Sequence, residues 1–315
     1  MLNIGLTSGS EVLASNLVRL RHLAPLLPLT KQKKVLNELS GQHSSSLRGR
    51  GMDYAEVRQY QAGDDLRAMD WRVTARTDKP HIKLFQQEKE RPVLIVCDLR
   101  SNMFFGSRRA LKSVLATDLS ALLAWASIEA GDRVGAVLFN DTQEFNLRPK
   151  PGRKAVLHLL NRMCELALDN EFSDHDMQAR MQQICRHVRR IATPGSRIYF
   201  ISDWLGFDEQ CQQQLFNISR HSDIVALHLS DPLERELPPP GIYPITDGLQ
   251  QLQLDSVDAH NRSRYQASFD QQLATLQQQL LALRIPLIRL STDTQEPLNT
   301  LRLGLGINQV SRGAF

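Results

Sequence analysis

Along this chain the spacing of apolar residues switches between a helical and a strand period, and the switches mark out its elements. Leu13, Leu17, Leu20, Ala24 and Leu27 recur at helical spacing, which predicts a helix over residues 11–27 that Pro25 and Pro28 kink or end. A second short helix is expected over 30–39, stopped by Gly41, and GQHSSSLRGRG then has loop chemistry. Residues 52–91 read differently. DYAEVRQY and HIKLFQQE alternate as strands do, AGDD between them signals a turn, and a helical turn is expected near LRAMDW. From residue 92 onward strand and helix patterns alternate. Strands are predicted at 92–98, 133–139, 144–148, 197–202, 223–229 and 285–291, and helices at 108–129, 153–167, 174–191, 208–220, 260–283 and 295–303. VLIVC, RIYFIS and IVALHL are nearly continuous apolar runs, as in strands covered on both faces. The alternation predicts an α/β fold with a doubly wound, mostly parallel sheet behind a small helical and β-rich N-terminal extension. A Pro- and Gly-rich stretch, 236–255, interrupts it and reads as a hairpin, whereas QQLATLQQQLLALR keeps a helical apolar face despite its glutamines.

Composition narrows the class. With 315 residues and 42% hydrophobic content the chain can bury a sizeable core. No apolar run approaches the roughly 18 residues of a membrane span. MLNIGLTSGSEVLASNL lacks the basic start and apolar core of a signal peptide. Cys97, Cys164, Cys185 and Cys211 are scattered with no C-x-x-C spacing, which points to a reducing compartment, and the cytoplasm is the expected location. The net charge of +4 is concentrated early: residues 1–91 hold 15 Lys and Arg against 10 Asp and Glu. Lys31, Lys33, Lys34, Arg48 and Arg50 would be the contacts of a nucleic-acid binder, but the excess is modest and lacks aromatic interleaving, so a solvated face is the expected reading.

The common enzymatic motifs are missing. GSRRALKS lacks the second Gly of a phosphate-binding loop, and there is no G-x-G-x-x-G after a strand, no G-x-S-x-G and no H-E-x-x-H. Candidate chemistry lies instead where Asp98 ends VLIVC and Asp203 ends IYFIS. Ligands of open α/β sheets bind outside such strand ends. Two carboxylates there repel unless a cation joins them, either a divalent metal or a guanidinium. Met103, Phe104 and Phe105 are expected to pack beneath the first loop, and Trp204 is the better surface candidate.

GDDLRAMDWRVTAR collects Gly63, Asp64, Asp65, Arg67, Asp70, Trp71, Arg72 and Arg76. It reads as either a carboxylate metal cluster or a lattice of Asp–Arg pairs with Trp71 buried between them, and the balance of charges favours the lattice. The run RGRGMDYAEVRQYQAGDDLRAMDWRVTART, followed by a strand ending in Asp and by FGS, GDRVGAVLF and YFISD, resembles domain-of-unknown-function family 58. Residues 92 to about 305 resemble a von Willebrand factor A domain. The resemblance implies a bacterial partner of a MoxR-type AAA+ ATPase, acting in maturation or remodelling of other proteins, with no established catalysis. The expected organisation is a helical segment over 1–40, a β-rich subdomain over 41–91, the A-like domain over 92–305 and a tail over 306–315.

A working A domain holds metal with Asp-x-Ser-x-Ser, a Thr and a further Asp. Here Asp98 and Asp203 match the first and last positions, Arg100 and Asn102 replace the two Ser, and RPKPGRKA offers Lys150, Arg153 and Lys154 where a Thr would be sought. Arg100 is therefore expected to bridge Asp98 and Asp203 in place of metal. No cofactor is expected, and Mg²⁺ or Mn²⁺, if bound, would fall to Asp98, Asn102 and Asp203. The expected function is a non-enzymatic adaptor. Its partner crevice would comprise Asp98, Arg100, Ser101, Asn102, Asp203 and Trp204, with Arg100 anchoring a carboxylate or polar loop. A metal-dependent hydrolase at the same carboxylates and a basic-patch nucleic-acid binder are the alternatives.

Overall fold

A computed structural model describes residues 9–29, 52–61, 69–87, 90–168, 176–246 and 251–307. The chain divides into two compact units, one of residues 31–90 and a larger one of residues 1–30 with 91–315. The expected helix at 30–39, the basic residues Lys31, Lys33, Lys34, Arg48 and Arg50, and Gly63, Asp64, Asp65 and Arg67 lie outside the described residues.

The larger unit opens with helix α1 (Ala14–Arg19), which tightens into a 3-10 segment, Leu20–Leu26, containing Pro25. Pro25 has no N–H and disfavours α conformation before it, so the predicted single helix is split. In the smaller unit, strands β1 (Met52–Gln59) and β2 (His81–Gln87) pair antiparallel, with helix α2 (Trp71–Thr77) between them in sequence. The helix begins where LRAMDW ends, because Asp70 caps it and accepts from the Arg72 and Val73 amides at 3.0 and 3.2 Å. Trp71 is 70% exposed at the first helical position, which corrects the expectation of a buried Trp. Arg72 and Arg76 are exposed on the same helix.

The larger unit continues through β3 (Pro92–Asp98), α3 (Lys112–Glu129), β4 (Arg133–Phe139), β5 (Glu144–Lys150), α4 (Arg153–Leu168), α5 (Met177–Ile191), β6 (Arg197–Ser202), α6 (Glu209–Ser219) and β7 (Asp223–Ser230). It ends with α7 (Pro232–Arg235), the hairpin β8 (Ile242–Thr246) and β9 (Gln251–Asp255), α8 (Ala259–Ala282), β10 (Leu287–Ser291) and α9 (Pro297–Gly304). The result is a mixed α/β fold around a six-stranded sheet of order β10-β7-β6-β3-β4-β5, parallel except for the edge strand β5. Side chains alternate across it with the period of two that strands impose. Val93, Ile95 and Cys97 feed one core with α1, α3 and α4, while Leu94 and Val96 feed the other with α5, α6 and α8. Burial on both faces explains why these strands read as continuous apolar runs.

Residues 17–29 contribute to the first of these cores. Leu17, Leu20, Leu23, Ala24 and Leu27 are buried in it, and the indole N–H of Trp125 donates to the Leu17 carbonyl at 3.1 Å. Among the described residues no helix is long and apolar enough to cross a membrane.

Candidate functional site

The parallel strands β3, β6 and β7 end side by side, and each delivers an acid: Asp98 as the last residue of β3, Asp203 just after β6, and Asp231 just after β7. The sequence reading found the first two and missed the third, although Asp231 also follows an apolar strand and opens the D-x-x-E pattern of a capping box. That box forms. Asp231 accepts from the Leu233 amide at 2.9 Å, and its own amide donates to Glu234 at 2.8 Å. Asp231 also accepts from the amide and hydroxyl of Ser107, at 2.8 and 2.6 Å, and from the Thr292 hydroxyl. The FGS turn is thereby tied to the ends of β7 and β10.

Asp98 and Arg100 are both fully buried and lock together. The guanidinium donates from Nε to Oδ1 at 3.0 Å and from Nη2 to Oδ2 at 2.7 Å, and the Ser202 hydroxyl adds a third side-chain donor at 2.6 Å. Arg100 also donates to the Met177 and Leu205 carbonyls, at 3.1 and 3.0 Å. Asp203 stands 3.8 Å from Arg100 Nη2, an ion pair without a hydrogen bond. Arg100 therefore does lie between the two acids, as the substitution pattern suggested. With no exposed surface it does not anchor a partner, which corrects that part of the expectation. Burial opposes its charge, yet Asp98 and Asp203 outweigh this and hold the guanidinium above its ordinary range.

The principal partner of Asp203 is a residue the sequence reading passed over. Lys112, at the start of α3, is 1% exposed, and its ammonium donates to Asp203 at 2.8 Å and to Glu234. Burial opposes both charges of the Lys112–Asp203 pair. Lys112 with Arg100 nonetheless draws the Asp203 carboxyl down to about 2, and Asp203 with Glu234 holds the Lys112 ammonium above its ordinary value. Burial prevails at Glu234 and pushes its carboxyl up. The available signal was context: Lys112 opens a helix in which every residue through Ser127 is buried, and a lysine in such a helix needs acids.

Ser101 and Asn102 are partly exposed in a 3-10 turn, where the Ser101 amide donates to Asp141 at 2.8 Å and the Asn102 side-chain amide donates to Asp203. Asn102 Oδ1 has no partner. Met103 is buried as expected, while Phe105 is 42% exposed. Trp204 is 4% exposed, wedged between Phe200 and Phe207 with its indole N–H on the Leu227 carbonyl at 3.2 Å, so it is a core residue and not the surface contact foreseen. Its φ of 64° turns the chain sharply after Asp203. RPKPGRKA does not reach this end of the sheet. The antiparallel register pairs Phe139 with Glu144 and Val134 with Lys150, so β5 carries Lys150, and with it the start of α4 at Arg153 and Lys154, to the opposite end of the strands. The neighbouring elements at the site are instead the β4–β5 loop, through Asp141, and the start of α5, through Met177.

The donor set does not fit a divalent cation. The oxygens of Asp98 and Asp203 are occupied by N–H and O–H donors, and two protein cations already stand beside them. Among the described residues no group of three or more His, Cys, Asp or Glu could hold a metal ion.

Over these pairs opens a cavity of about 770 Å³ between the strand ends and α8. Its floor carries Asn102, Lys112, Asp203, Glu234 and His228, and its wall carries Tyr265 and Phe269. His228 is 7% exposed, its Nδ1 has no hydrogen bond, and burial lowers its pKa to about 4, so the ring is neutral near pH 7.

The sequence model described as "Protein of unknown function DUF58" matches residues 56–275. Uncharacterized proteins of Mycobacterium bovis and Mycobacterium tuberculosis are 27% identical over 268 residues, covering 85% of this chain and 83% of theirs. Among solved structures, the conserved hypothetical protein BatB of Bacteroides thetaiotaomicron is 12% identical, with a TM-score of 0.41 over 69% of this chain and 97% of its own. An aerotolerance-related membrane protein of Bacteroides fragilis is 14% identical, with a TM-score of 0.34 over 57% and 87%.

Proposed function

We propose, on the premise that this chain belongs to the DUF58 family of proteins of unknown function, that it is a non-enzymatic adaptor with a metal-free von Willebrand factor A-like sheet. It presents the crevice above the strand ends to partner proteins in the cytoplasm, and the energy for remodelling those partners comes from a MoxR-type AAA+ ATPase. The ATPase enters through the family resemblance alone. The observation that supports a binding role is the internal neutralisation of the carboxylates: Asp98 by Arg100, and Asp203 by Lys112. An acid held near pKa 2 by a buried ammonium is a poor general base at neutral pH. Among the described residues His228 has no hydroxyl or carboxylate partner at Nδ1 that would make it one limb of a nucleophile–base pair. What remains accessible is a recess with a polar floor.

Affinity capture from the native lysate with Mg²⁺ and ATP tests this reading. Ser268 lines the recess and is exposed, so Ser268→Trp plugs it without entering the core. Arg186→Glu, an exposed change on α5 outside the recess, is the control. Wild type and Arg186→Glu are expected to retain a AAA+ ATPase and Ser268→Trp to lose it. No ATPase with wild type in either ATP or ADP would overturn the adaptor reading, and retention by Ser268→Trp would move the docking surface elsewhere.

A further inference from the structure

We infer that the recess above Asp203 takes a basic side chain, an arginine in preference to a lysine, from a loop of the partner protein. The inference rests on the adaptor reading and specifies the chemistry of its docking site. It also reverses the polarity that the substitution of Arg100 for a metal ligand suggests, which was an acidic ligand.

The charges on the floor are those of Lys112, Asp203 and Glu234, one ammonium against two carboxylates, while the fully buried Arg100 beneath them is hydrogen-bonded to Asp98 and lies 3.8 Å from Asp203. The ammonium is 1% exposed and already donates to both acids, whereas the Glu234 side chain is 28% exposed. An entering group therefore meets carboxylate oxygen before it meets positive charge. Two further groups point to a donor-rich ligand and lie outside the ion pairs. Asn102 Oδ1 is a buried acceptor without a partner, because the amide nitrogen of that side chain is committed to Asp203. His228 Nδ1 is likewise buried and unpartnered. The ring is neutral, and in its Nε2–H tautomer Nδ1 accepts an N–H; leaving buried polar atoms such as these unsatisfied costs roughly 1–3 kcal/mol each. The guanidinium carries five N–H donors in one plane and serves separated acceptors at once, which a compact ammonium does not. The wall suits the rest of the residue. Phe269 and Leu276 offer apolar surface to the three-methylene stem, and Tyr265 offers an aromatic face.

The test uses the full chain with N-acetyl-arginine amide and N-acetyl-glutamate amide as probes, read by the side-chain ¹H–¹⁵N signals of His228. Gln272 lines the recess from α8 and is exposed, so its charge can be changed without disturbing the core. The arginine probe is expected to shift the His228 signals saturably and the glutamate probe to leave them in place. Gln272→Glu should tighten arginine binding about 3-fold and Gln272→Arg weaken it about 10-fold, the scale of one near-surface charge interaction. Preference for the glutamate probe would overturn the inference. So would arginine binding indifferent to both Gln272 variants, or no saturable shift up to about 50 mM, well above the millimolar affinity a fragment of this size reaches. The capture experiment fails independently. Arginine binding without a captured ATPase removes the adaptor reading and leaves the basic specificity standing, whereas glutamate preference with a captured ATPase does the reverse.

Discussion

His228 is neutral because burial sets the cost of its charge, and that cost has a consequence for stability with a definite sign. The pKa falls from an ordinary 6.5 to about 4 in the folded chain, so between these values the unfolded chain binds the proton and the folded chain does not. Stability is then full above about pH 6.5 and declines as pH drops toward 4, by about 3 kcal/mol for this group. His228→Gln should flatten the part of the acid-induced fall in melting temperature that lies between pH 6.5 and 4.5. Asp203 works in a lower window, because a carboxyl drawn down to about 2 loses its contribution only as pH falls from about 4 through 2. An unchanged slope in His228→Gln would show that the ring is hydrated or paired. At Arg100, removal of the guanidinium strands a fully buried carboxylate, so Arg100→Met should cost about 3–5 kcal/mol, with partial recovery in Asp98→Asn/Arg100→Met. Millimolar Mg²⁺ should leave the wild-type melting temperature where it is, and a rise would mean that Asp98 and Asp203 have lone pairs to offer. Asp98 and Asp203 were legible in the sequence because each closes an apolar strand. Lys112 was not, since its meaning depends on Glu234, 122 residues away.

Elements show the same division between local and distant causes. The core strands were legible almost to the residue, because a sheet covered on both faces leaves an apolar run with polar residues at either end. What could not be read was where the antiparallel edge strand would carry its far end, and so Lys150, Arg153 and Lys154 were sought at the wrong end of the strands. The capping of α2 is a local matter, set by the side chain of Asp70. Of the helical turn expected near LRAMDW, residues 66–68 lie outside the described residues, and Asp70 is the cap that begins the helix at Trp71. That assignment separates two neighbouring substitutions. Asp70→Ala removes the acceptor for two backbone amides and should destabilise the smaller unit by about 1 kcal/mol. Trp71→Ala, at a position 70% exposed, should change stability by less than about 0.5 kcal/mol. Hydrogen exchange at the Arg72 and Val73 amides would register the first and not the second. Equal losses from both would show that Trp71 is covered by something beyond its own helix.

At the scale of the whole molecule, the order of residues along the chain is not the order of its packing. Residues 1–30 and 91–315 form one unit with residues 31–90 inserted between them, whereas the sequence suggested a separate helical segment ahead of the sheet domain. The reason lies in α3. This helix is buried on every side from Lys112 to Ser127, and one sheet face with α4 does not enclose it. Leu17, Leu20, Leu23, Ala24 and Leu27 supply the missing cover, with Leu17 and Leu20 only 1% and 2% exposed. Fully burying a leucine contributes about 1.5–3 kcal/mol, against which the entropy of ordering the segment is set. Leu20→Ala should therefore cost about 2–4 kcal/mol. A chain starting at residue 31 should lose the cooperative transition of the sheet domain, although every strand of that sheet is still present. Trp125 reports the outcome directly, since its indole N–H is bonded to the Leu17 carbonyl in the packed state. The tryptophan emission, to which Trp125 and Trp204 contribute over the background of exposed Trp71, should move to longer wavelength in the truncated chain and return when a peptide of residues 9–29 is added in excess. Native emission without the peptide would mean that α3 closes its own core, and that the first thirty residues are an appendage after all.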